Sequence, residues 1–176
     1  DNSVLSAQGY IIGRKPGSFS VRAEKISSLM GGIYYKFSLS MNRDSTLWMG
    51  EGADLFKLSK NGKSMLAHLV LKEPLKCFYV DPLDRLWIGG QNGGLFRLNK
   101  NDSIPKLSVR VATDGIQIIH QETHNTFLLG TRRGLFRFDI LSKKLEEIGN
   151  FKNVTIRSFH TSTEGTWITT YGNGFY

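Results

Sequence analysis

Residues 84–100 read DRLWIGGQNGGLFRLNK, and the chain repeats this phrase several times. Residues 45–60 read STLWMGEGADLFKLSK, residues 125–139 read NTFLLGTRRGLFRFD, and residues 165–176 read GTWITTYGNGFY. A weaker copy, YIIGRKPGSFSV, occupies residues 10–21. Self-similarity at a nearly fixed period indicates a fold in which one small structural unit is used several times.

The repeat has a period of about 40 residues. Its anchor positions, 39, 41 and 39 residues apart, are Trp48, Trp87, Leu128 and Trp167, with Ile11 in the weak copy. A strand-like segment (CFYVD, IQIIHQ or TIRSFHT) and then a polar turn come before the anchor strand. A looser strand pattern closes the unit (SMLAHLVL, PKLSVRV, KKLEEIG). Four short antiparallel strands in such a period are typical of a propeller blade. A β-sandwich with accidental internal similarity is the alternative.

The sequence therefore predicts an all-β fold, a β-propeller made of four-stranded antiparallel blades. The chain would form a single segment, 1–176, a partial propeller of about four blades from one of about seven. The first and last repeat units are predicted to be partial, because strands are missing from both patterns. The predicted units are approximately 1–30, 31–73, 74–113, 114–150 and 151–176.

The tryptophans are predicted to be packing residues. The second strand of a blade is covered by neighbouring blades on both faces, which favours a large flat side chain. Trp48, Trp87 and Trp167 are accordingly expected to be buried between sheets. The glycine two residues after the anchor would allow a tight turn and a close backbone approach. Cys77, the one cysteine, lies in an apolar strand pattern and is interpreted as a small buried hydrophobic residue that cannot form an internal disulfide.

Composition is that of a globular protein with a basic surface. Of the 176 residues, 40% are hydrophobic and 22% are charged, and the formal net charge is +8. This charge favours anionic partners such as nucleic acid, acidic polysaccharide or a membrane surface. No apolar run approaches the ~20 residues of a membrane helix. The segment DNSVLSAQGY lacks the features of a signal peptide.

The sequence predicts no catalytic residues, no bound metal and no cofactor. No pair of histidines has the spacing of a helical metal site, although His120 and His160 fall near the ends of equivalent first strands. The glycine turns join two strands, so a phosphate cradle is unsupported. Lys57, Arg97 and Arg137 recur at one repeat position and are interpreted as solvent-facing strand residues. No RNA-recognition or helix-turn-helix pattern is present, and contact with nucleic acid is not expected.

Two copies of the phrase resemble a known family. LWIGGQNGGLFRLNK and LLGTRRGLFRFD are similar to the two-component regulator propeller repeat, and the matching residues of the second are Gly130, Thr131, Gly134, Leu135, Phe136, Arg137, Phe138 and Asp139. Copies depart from the pattern at Glu51, Leu128 and Thr169. The resemblance covers the chain from about residue 10 onward.

The resemblance implies a periplasmic, ligand-sensing segment of a two-component sensor. Such repeats form the extracytoplasmic sensors of bacterial histidine kinases, including hybrid systems of gut Bacteroidetes, which commonly respond to oligosaccharides. The implied partners are an oligosaccharide, partly anionic in character, and the rest of a homodimeric parent sensor; the implied output is a phosphorelay. Two alternatives remain at this stage: a propeller lyase resembling the streptogramin-inactivating enzymes, and a basic nucleic-acid-binding propeller.

A ligand is predicted to bind at the turns between second and third strands. In a propeller these turns and the links between blades gather at one rim of the central channel. Arginine can bind a carboxylate or sulfate with two hydrogen bonds, amides can bond hydroxyls, and tyrosine can stack on a sugar ring. The predicted ligand-binding residues are Arg14, Lys15, Gln91, Asn92, Arg132, Arg133, Tyr171 and Asn173.

Overall fold

The structure, a computed structural model, is built from short antiparallel strands. It describes residues 4–7, 10–14, 21–25, 38–42, 44–60, 64–111 and 114–176, with side chains from Asn42 onward. Within these residues the one helical element is a single 3₁₀ turn, Gly149–Phe151. The chain divides into two compact units, Asp1–Val70 and Leu71–Tyr176.

The first unit contains two sheets. One has three strands in the order β1-β2-β3, and the other has four in the order β4-β5-β6-β7. Each strand pairs with its sequence neighbour in antiparallel register. The strands are β1 Val4–Ala7, β2 Tyr10–Arg14, β3 Val21–Lys25, β4 Ser38–Met41, β5 Leu47–Glu51, β6 Asp54–Leu58 and β7 Met65–Val70.

The second unit contains three sheets. Two have four strands, β8-β9-β10-β11 and β12-β13-β14-β15, and the third pairs β16 with β17. The strands are β8 Leu75–Val80, β9 Leu86–Gly90, β10 Gly94–Leu98, β11 Lys106–Arg110, β12 Ile118–Gln121, β13 Thr126–Gly130, β14 Leu135–Asp139, β15 Leu145–Glu147, β16 Ile156–Ser162 and β17 Gly165–Thr170. The repeated phrase occupies the second and third strands of the two four-stranded sheets, as expected for a blade, and in the third sheet it begins with β17.

The sheet β12–β15 is covered on both faces, and its second strand shows how. Phe127 and Leu129 of β13 belong to a core shared with Trp87 of the preceding sheet. Leu128, between them, belongs to a second core shared with Ile168 of the following sheet. Successive side chains of a strand point to opposite faces, so both faces need apolar residues. This explains why the anchor strands are apolar without interruption.

The glycine of the phrase lies against the residues at which the next blade begins. A β-carbon on Gly130 would lie 2.7 Å from Cγ2 of Ile156, and one on Gly89 would lie 2.9 Å from Cγ2 of Ile116. Both isoleucines belong to the neighbouring blade, and real β-carbons do not approach that closely. In the second unit the glycine therefore lets adjacent sheets pack closely, as its position predicted.

The indole nitrogen of each buried tryptophan is bound by a side chain six residues earlier. Trp87 Nε1 donates to Asp81 Oδ2 at 2.8 Å, and Trp48 Nε1 donates to Asn42 Oδ1 at 3.1 Å. Asp81 also accepts the backbone N–H groups of Leu83 and Arg85. Burying an indole N–H without an acceptor would be costly. One side chain thus satisfies the anchor and holds the turn that precedes it.

Two of the three recurring cations, Lys57 and Arg97, are half-buried, contrary to the interpretation of the sequence, whereas Arg137 is exposed. Lys57 lies 5.4 Å from the centroid of the Trp48 ring, and Arg97 lies 5.8 Å from that of Trp87. Each cation sits directly opposite its tryptophan in the strand pairing, where it covers the ring through a cation–π contact. Where the anchor is leucine, Arg137 instead forms a two-point ion pair with Glu122 at 2.6 and 2.8 Å.

The prediction that all three tryptophans are buried is wrong for Trp167. Trp87 is 0% exposed and Trp48 is 7% exposed, but Trp167 is 41% exposed. Its strand, β17, pairs with β16 on one side and has a single bridge, Thr169 to Phe175, on the other. Burial of the anchor requires third and fourth strands and a further sheet over the face, and the sheet β16–β17 has neither in this structure.

This contrast predicts different costs of truncating two tryptophans. Trp87→Ala should lower the free energy of unfolding by about 3–5 kcal/mol, because it removes a fully buried aromatic side chain. Trp167→Ala, the matched control, should cost less than about 1 kcal/mol, because the side chain already contacts solvent. Urea unfolding followed by circular dichroism measures both, and equal losses would contradict the assigned packing.

Cys77 provides a second test of the same core. Burial raises the pKa of its thiol to about 12, and the thiol lies 3.4 Å from the carbonyl oxygen of Ile116. Because the thiolate is the reactive form, Cys77 should not react with a disulfide reagent at pH 8 in the folded protein. It should react at the rate of a free thiol in urea. Rapid labelling without denaturant would show that the first strand of this sheet is not packed as described.

Candidate functional site

The turns between second and third strands and the links between sheets come together at one edge of the second unit. The residues of this edge, called here the link edge, are those of the turns 90–94, 131–134 and 171–174 and the described residues of the links, 71–74, 111, 114–117 and 151–155. Gln91 N donates to the carbonyl of Pro74 at 2.7 Å, and Ile116 N donates to that of Gly90 at 3.0 Å. The first turn is therefore held by the links on its two sides.

The first turn of the link edge carries Gln91 and Asn92 and rests on a buried carboxylate. Glu73, in the link before β8, is 3% exposed. Its Oε2 accepts the backbone N–H of Asn92 at 2.5 Å, and its Oε1 lies 3.0 Å from Nη1 of Arg110. Arg110 Nη1 also donates to the carbonyl oxygen of Asn92 at 2.6 Å. The turn is fixed through its backbone, and the side chains of Gln91 and Asn92 are exposed.

A threonine replaces this carboxylate in the next two turns. Thr131 Oγ1 donates to the carbonyl of Gly134 at 2.9 Å and accepts the N–H of Arg133 at 3.1 Å. Thr170 Oγ1 donates to the carbonyl of Gly174 at 2.8 Å. The position equivalent to Thr131 is Gly90, whose missing side chain leaves the space that Glu73 occupies. Side-chain hydrogen bonds thus support all three turns, through a carboxylate in the first and a threonine in the other two.

The second turn presents two exposed arginines on a fixed backbone. Thr155 Oγ1 donates to the carbonyl of Arg132 at 2.7 Å, and Asn153 N donates to that of Arg133 at 2.9 Å. Neither guanidinium has a carboxylate or hydrogen-bond partner among the side chains that the structure describes. Arg85, Arg110 and Arg137, by contrast, are paired. Arg132 and Arg133 are thus available to an anionic group from outside.

The third turn brings Tyr171 and Asn173 to the same edge. Tyr171 is 69% exposed, and its N–H donates to the carbonyl of Thr155 at 2.9 Å. Thr155 thereby connects the second and third turns. The guanidinium carbon of Arg157, in β16, lies 5.0 Å from the centroid of the Tyr171 ring. Tyr171 was expected to stack on a sugar ring, and in the structure Arg157 contacts its ring.

The remaining predicted site residues lie in the first unit. Arg14 is the last residue of β2, and only its backbone is described; Lys15 lies outside the described residues. The next turn of this unit carries Glu51, which pairs with Asp54 across the turn. Burial, with a smaller contribution from Asp54, raises the pKa of Glu51. This turn is therefore acidic in character, unlike the turns of the link edge.

The two histidines that the sequence placed near strand ends occupy equivalent positions. His120 is opposite Leu128 in the strand pairing, and His160 is opposite Trp167. His120 stacks on Phe159 at 5.1 Å between ring centroids, and its Nε2 lies 3.2 Å from Thr161 Oγ1. Burial lowers the pKa of His120, while Glu122 acts in the opposite direction. Its neighbours make it a contact between sheets.

Two residues of the link edge and one beside it were not predicted from the sequence. Glu73 lies far along the chain from the turn it supports, and no repeat position marks it. Thr155 lies in a link with no motif. Arg157 was read as part of a regular strand, but the register of β16 against β17 shifts between Ile156 and Ser158. A basic residue also lies at the equivalent bulge of β8, Lys76, and this recurrence was the available sequence signal for Arg157.

The described residues contain neither a metal-binding cluster nor a membrane-spanning helix. No cluster of three or more histidine, cysteine, aspartate or glutamate side chains suited to a metal ion occurs among them. No helix in the part of the chain that the structure describes is long and apolar enough to cross a membrane.

Comparison with solved structures identifies the fold. The extracellular domain of a hybrid two-component system from B. thetaiotaomicron is 23% identical, with a TM-score of 0.72 over 96% of this chain and 23% of that one. A second such domain from the same organism is 15% identical, with a TM-score of 0.72 over 99% and 25%. YCF48 from Cyanidioschyzon merolae is 13% identical, with a TM-score of 0.69 over 97% and 63%.

These likenesses confirm the predicted fold class, an all-β, propeller-type arrangement of four-stranded antiparallel sheets. At such identities the likeness concerns the fold. The chain spans about a quarter of the length of the two sensor domains that it resembles. No protein-family model and no curated protein matches it.

The support of the first turn by Glu73 can be tested directly. Glu73→Ala removes the acceptor of the Asn92 N–H and the partner of Arg110, which should lower the free energy of unfolding by about 1–3 kcal/mol. Amide exchange of Asn92 should become faster than that of Arg133, whose turn uses Thr131. Lys72→Ala, at the exposed neighbouring position, is the control. Unchanged exchange at Asn92 in Glu73→Ala would contradict the proposed support.

Proposed function

We propose that this chain is the ligand-sensing propeller segment of an extracytoplasmic sensor of a two-component system, and that it binds an oligosaccharide at the link edge. The main support for this proposal is the arrangement of the link edge. Three neighbouring turns expose polar side chains of several kinds on backbones that are fixed by hydrogen bonds. A binding site needs such pre-positioned groups, because ordering them on binding would cost free energy. The fold likeness to extracellular sensor domains supports the proposed context.

The available groups suit a polar, partly anionic sugar. Gln91, Asn92 and Asn173 supply amides that can donate to and accept from hydroxyl groups. Arg132 and Arg133 supply planar guanidinium groups that can bind a carboxylate or sulfate. Exposed Tyr171 and Phe175 offer aromatic surface beside them. We assign sensing rather than catalysis to these residues, and a periplasmic location to the segment, with signalling left to the rest of a dimeric parent sensor.

The charges of the described side chains favour a saccharide over nucleic acid. A nucleic-acid surface needs a continuous row of free cations along the phosphate backbone. Lys57 and Arg97 instead cover tryptophan rings, and Arg137 is paired with Glu122. The recurring cations of the repeat therefore serve the packing of each sheet. The unpaired arginines of the link edge are few and lie beside amides and a tyrosine.

Calorimetry against a panel of neutral and acidic oligosaccharides tests this proposal. We expect at least one acidic oligosaccharide to bind the full chain. Arg132→Ala combined with Arg133→Ala should weaken this binding by about 10-fold or more, the equivalent of losing one charge-assisted hydrogen bond. Thermal stability should remain nearly unchanged, because both side chains are exposed.

The matched control removes two positive charges from the opposite ends of the strands. Lys100→Gln combined with Lys143→Asn changes exposed turn residues, and asparagine tolerates the positive φ of 60° at position 143. This control should retain full affinity. If it weakens binding as much as the arginine variant, general attraction to a basic protein explains the binding. If no saccharide of the panel binds, the proposal is wrong.

A further inference from the structure

We propose that Arg157, held in place by Tyr171, binds the carboxylate or sulfate group of an acidic saccharide together with Arg132 and Arg133. This inference rests on the proposed saccharide-binding function and adds a residue that determines which saccharides bind. It makes the junction between the sheets β12–β15 and β16–β17 the charged part of the link edge.

The first argument is continuity through the backbone. The carbonyl of Arg132 accepts from Thr155 Oγ1, and the carbonyl of Thr155 accepts from the N–H of Tyr171. Arg157 follows Thr155 by two residues and contacts the ring of Tyr171. An unbroken series of contacts thus connects Arg132 to Arg157, all within the second unit. The three arginines belong to adjacent sheets at the same edge.

The second argument is the local shape of β16. The pairing register shifts between Ile156 and Ser158, so Arg157 is the extra residue of a β-bulge. A bulge bends its strand and redirects a side chain, and bulges are over-represented at binding sites. Ile156 is fully buried, whereas Arg157 is exposed. The bulge allows an exposed arginine to follow a core residue at the start of this strand.

The third argument is the state of the guanidinium group. Arg157 has no carboxylate or hydrogen-bond partner among the described residues, and its guanidinium carbon lies over the ring of Tyr171. A cation–π contact of this kind holds the guanidinium in place without using its N–H groups. Holding the group in place before binding reduces the entropy lost when a two-point contact with an anion forms. Tyr171 is therefore a positioning residue for Arg157.

Inorganic sulfate is the probe that tests this site without knowledge of the natural ligand. Sodium sulfate is titrated into the full chain at ionic strength held constant with sodium chloride, and the Nε–H signals of the arginines are followed by NMR. The signals of Arg132, Arg133 and Arg157 should shift together along one binding curve. Those of Arg85, Arg110 and Arg137, which have carboxylate partners, should not shift.

Variants separate the roles of the two residues. Arg157→Gln should weaken sulfate binding about 10-fold or more, and Arg157→Lys should restore only part of it, because lysine keeps the charge but loses the planar fork. Tyr171→Ala should weaken binding about 2- to 5-fold, the equivalent of an exposed cation–π contact. Tyr171→Phe should bind like the parent chain. Lys100→Gln, which removes one charge elsewhere, should have no effect.

A comparison of three saccharides identifies which anionic group binds. A galacturonic acid oligosaccharide, its neutral methyl ester and a sulfated disaccharide are compared in the parent chain and in Arg157→Gln. Binding of a charged sugar that exceeds binding of the neutral ester, and that Arg157→Gln abolishes, supports the inference. Equal affinity for the acid and its ester overturns it while leaving saccharide binding, and thus the proposed function, intact.

Two further outcomes also overturn the inference. If sulfate shifts every arginine signal alike or shifts none, no specific anion site exists. If a single-stranded oligonucleotide binds through Arg157 and none of the sugars does, the site belongs to nucleic acid and the proposed function is contradicted as well.

Discussion

The whole arrangement depends on burying a large indole ring without leaving its N–H unsatisfied. Trp87 is completely enclosed between sheets, and its nitrogen donates to the carboxylate of Asp81. The same carboxylate accepts backbone N–H groups of the turn between the first and second strands and pairs with Arg85. Arg97 covers the ring from the third strand. One tryptophan thereby joins three strands and a turn of its sheet, and its own buried N–H has an acceptor.

Departures from this arrangement are compensated locally. In the third repeat, leucine replaces tryptophan and has no N–H to satisfy. The acidic residue six positions earlier, Glu122, is then free to pair with Arg137, which has no indole ring to cover. In the last repeat the tryptophan keeps its ring but is half-exposed, and the residue six positions earlier, Thr161, lies close to His120. The role of the residue six positions earlier thus depends on whether the anchor has a buried N–H, as expected if its role is to satisfy that donor.

The basic side chains discussed above form two groups with different roles. Lys57, Arg97 and Arg137 stabilise individual sheets through tryptophan rings or a carboxylate. Arg132, Arg133 and Arg157 gather where two sheets meet, and no described carboxylate neutralises them. A net charge alone cannot separate these groups, since both contribute equally to it. Position relative to a partner decides which charges stay available to a ligand.

The sequence by itself determined the repeat, the four-stranded blade and the burial of Trp48 and Trp87, because alternation and a fixed period record which side chains face a core. It also placed the exposed turns with Gln91, Asn92, Arg132 and Arg133, since these follow the glycine of each phrase. Only the tertiary structure decided that Glu73 supports one of those turns, that Trp167 is half-exposed and that Arg157 lies over Tyr171. These features depend on residues distant in sequence, on neighbouring sheets and on a one-residue bulge. None of them changes the period of the sequence, which records only the alternation of core-facing residues.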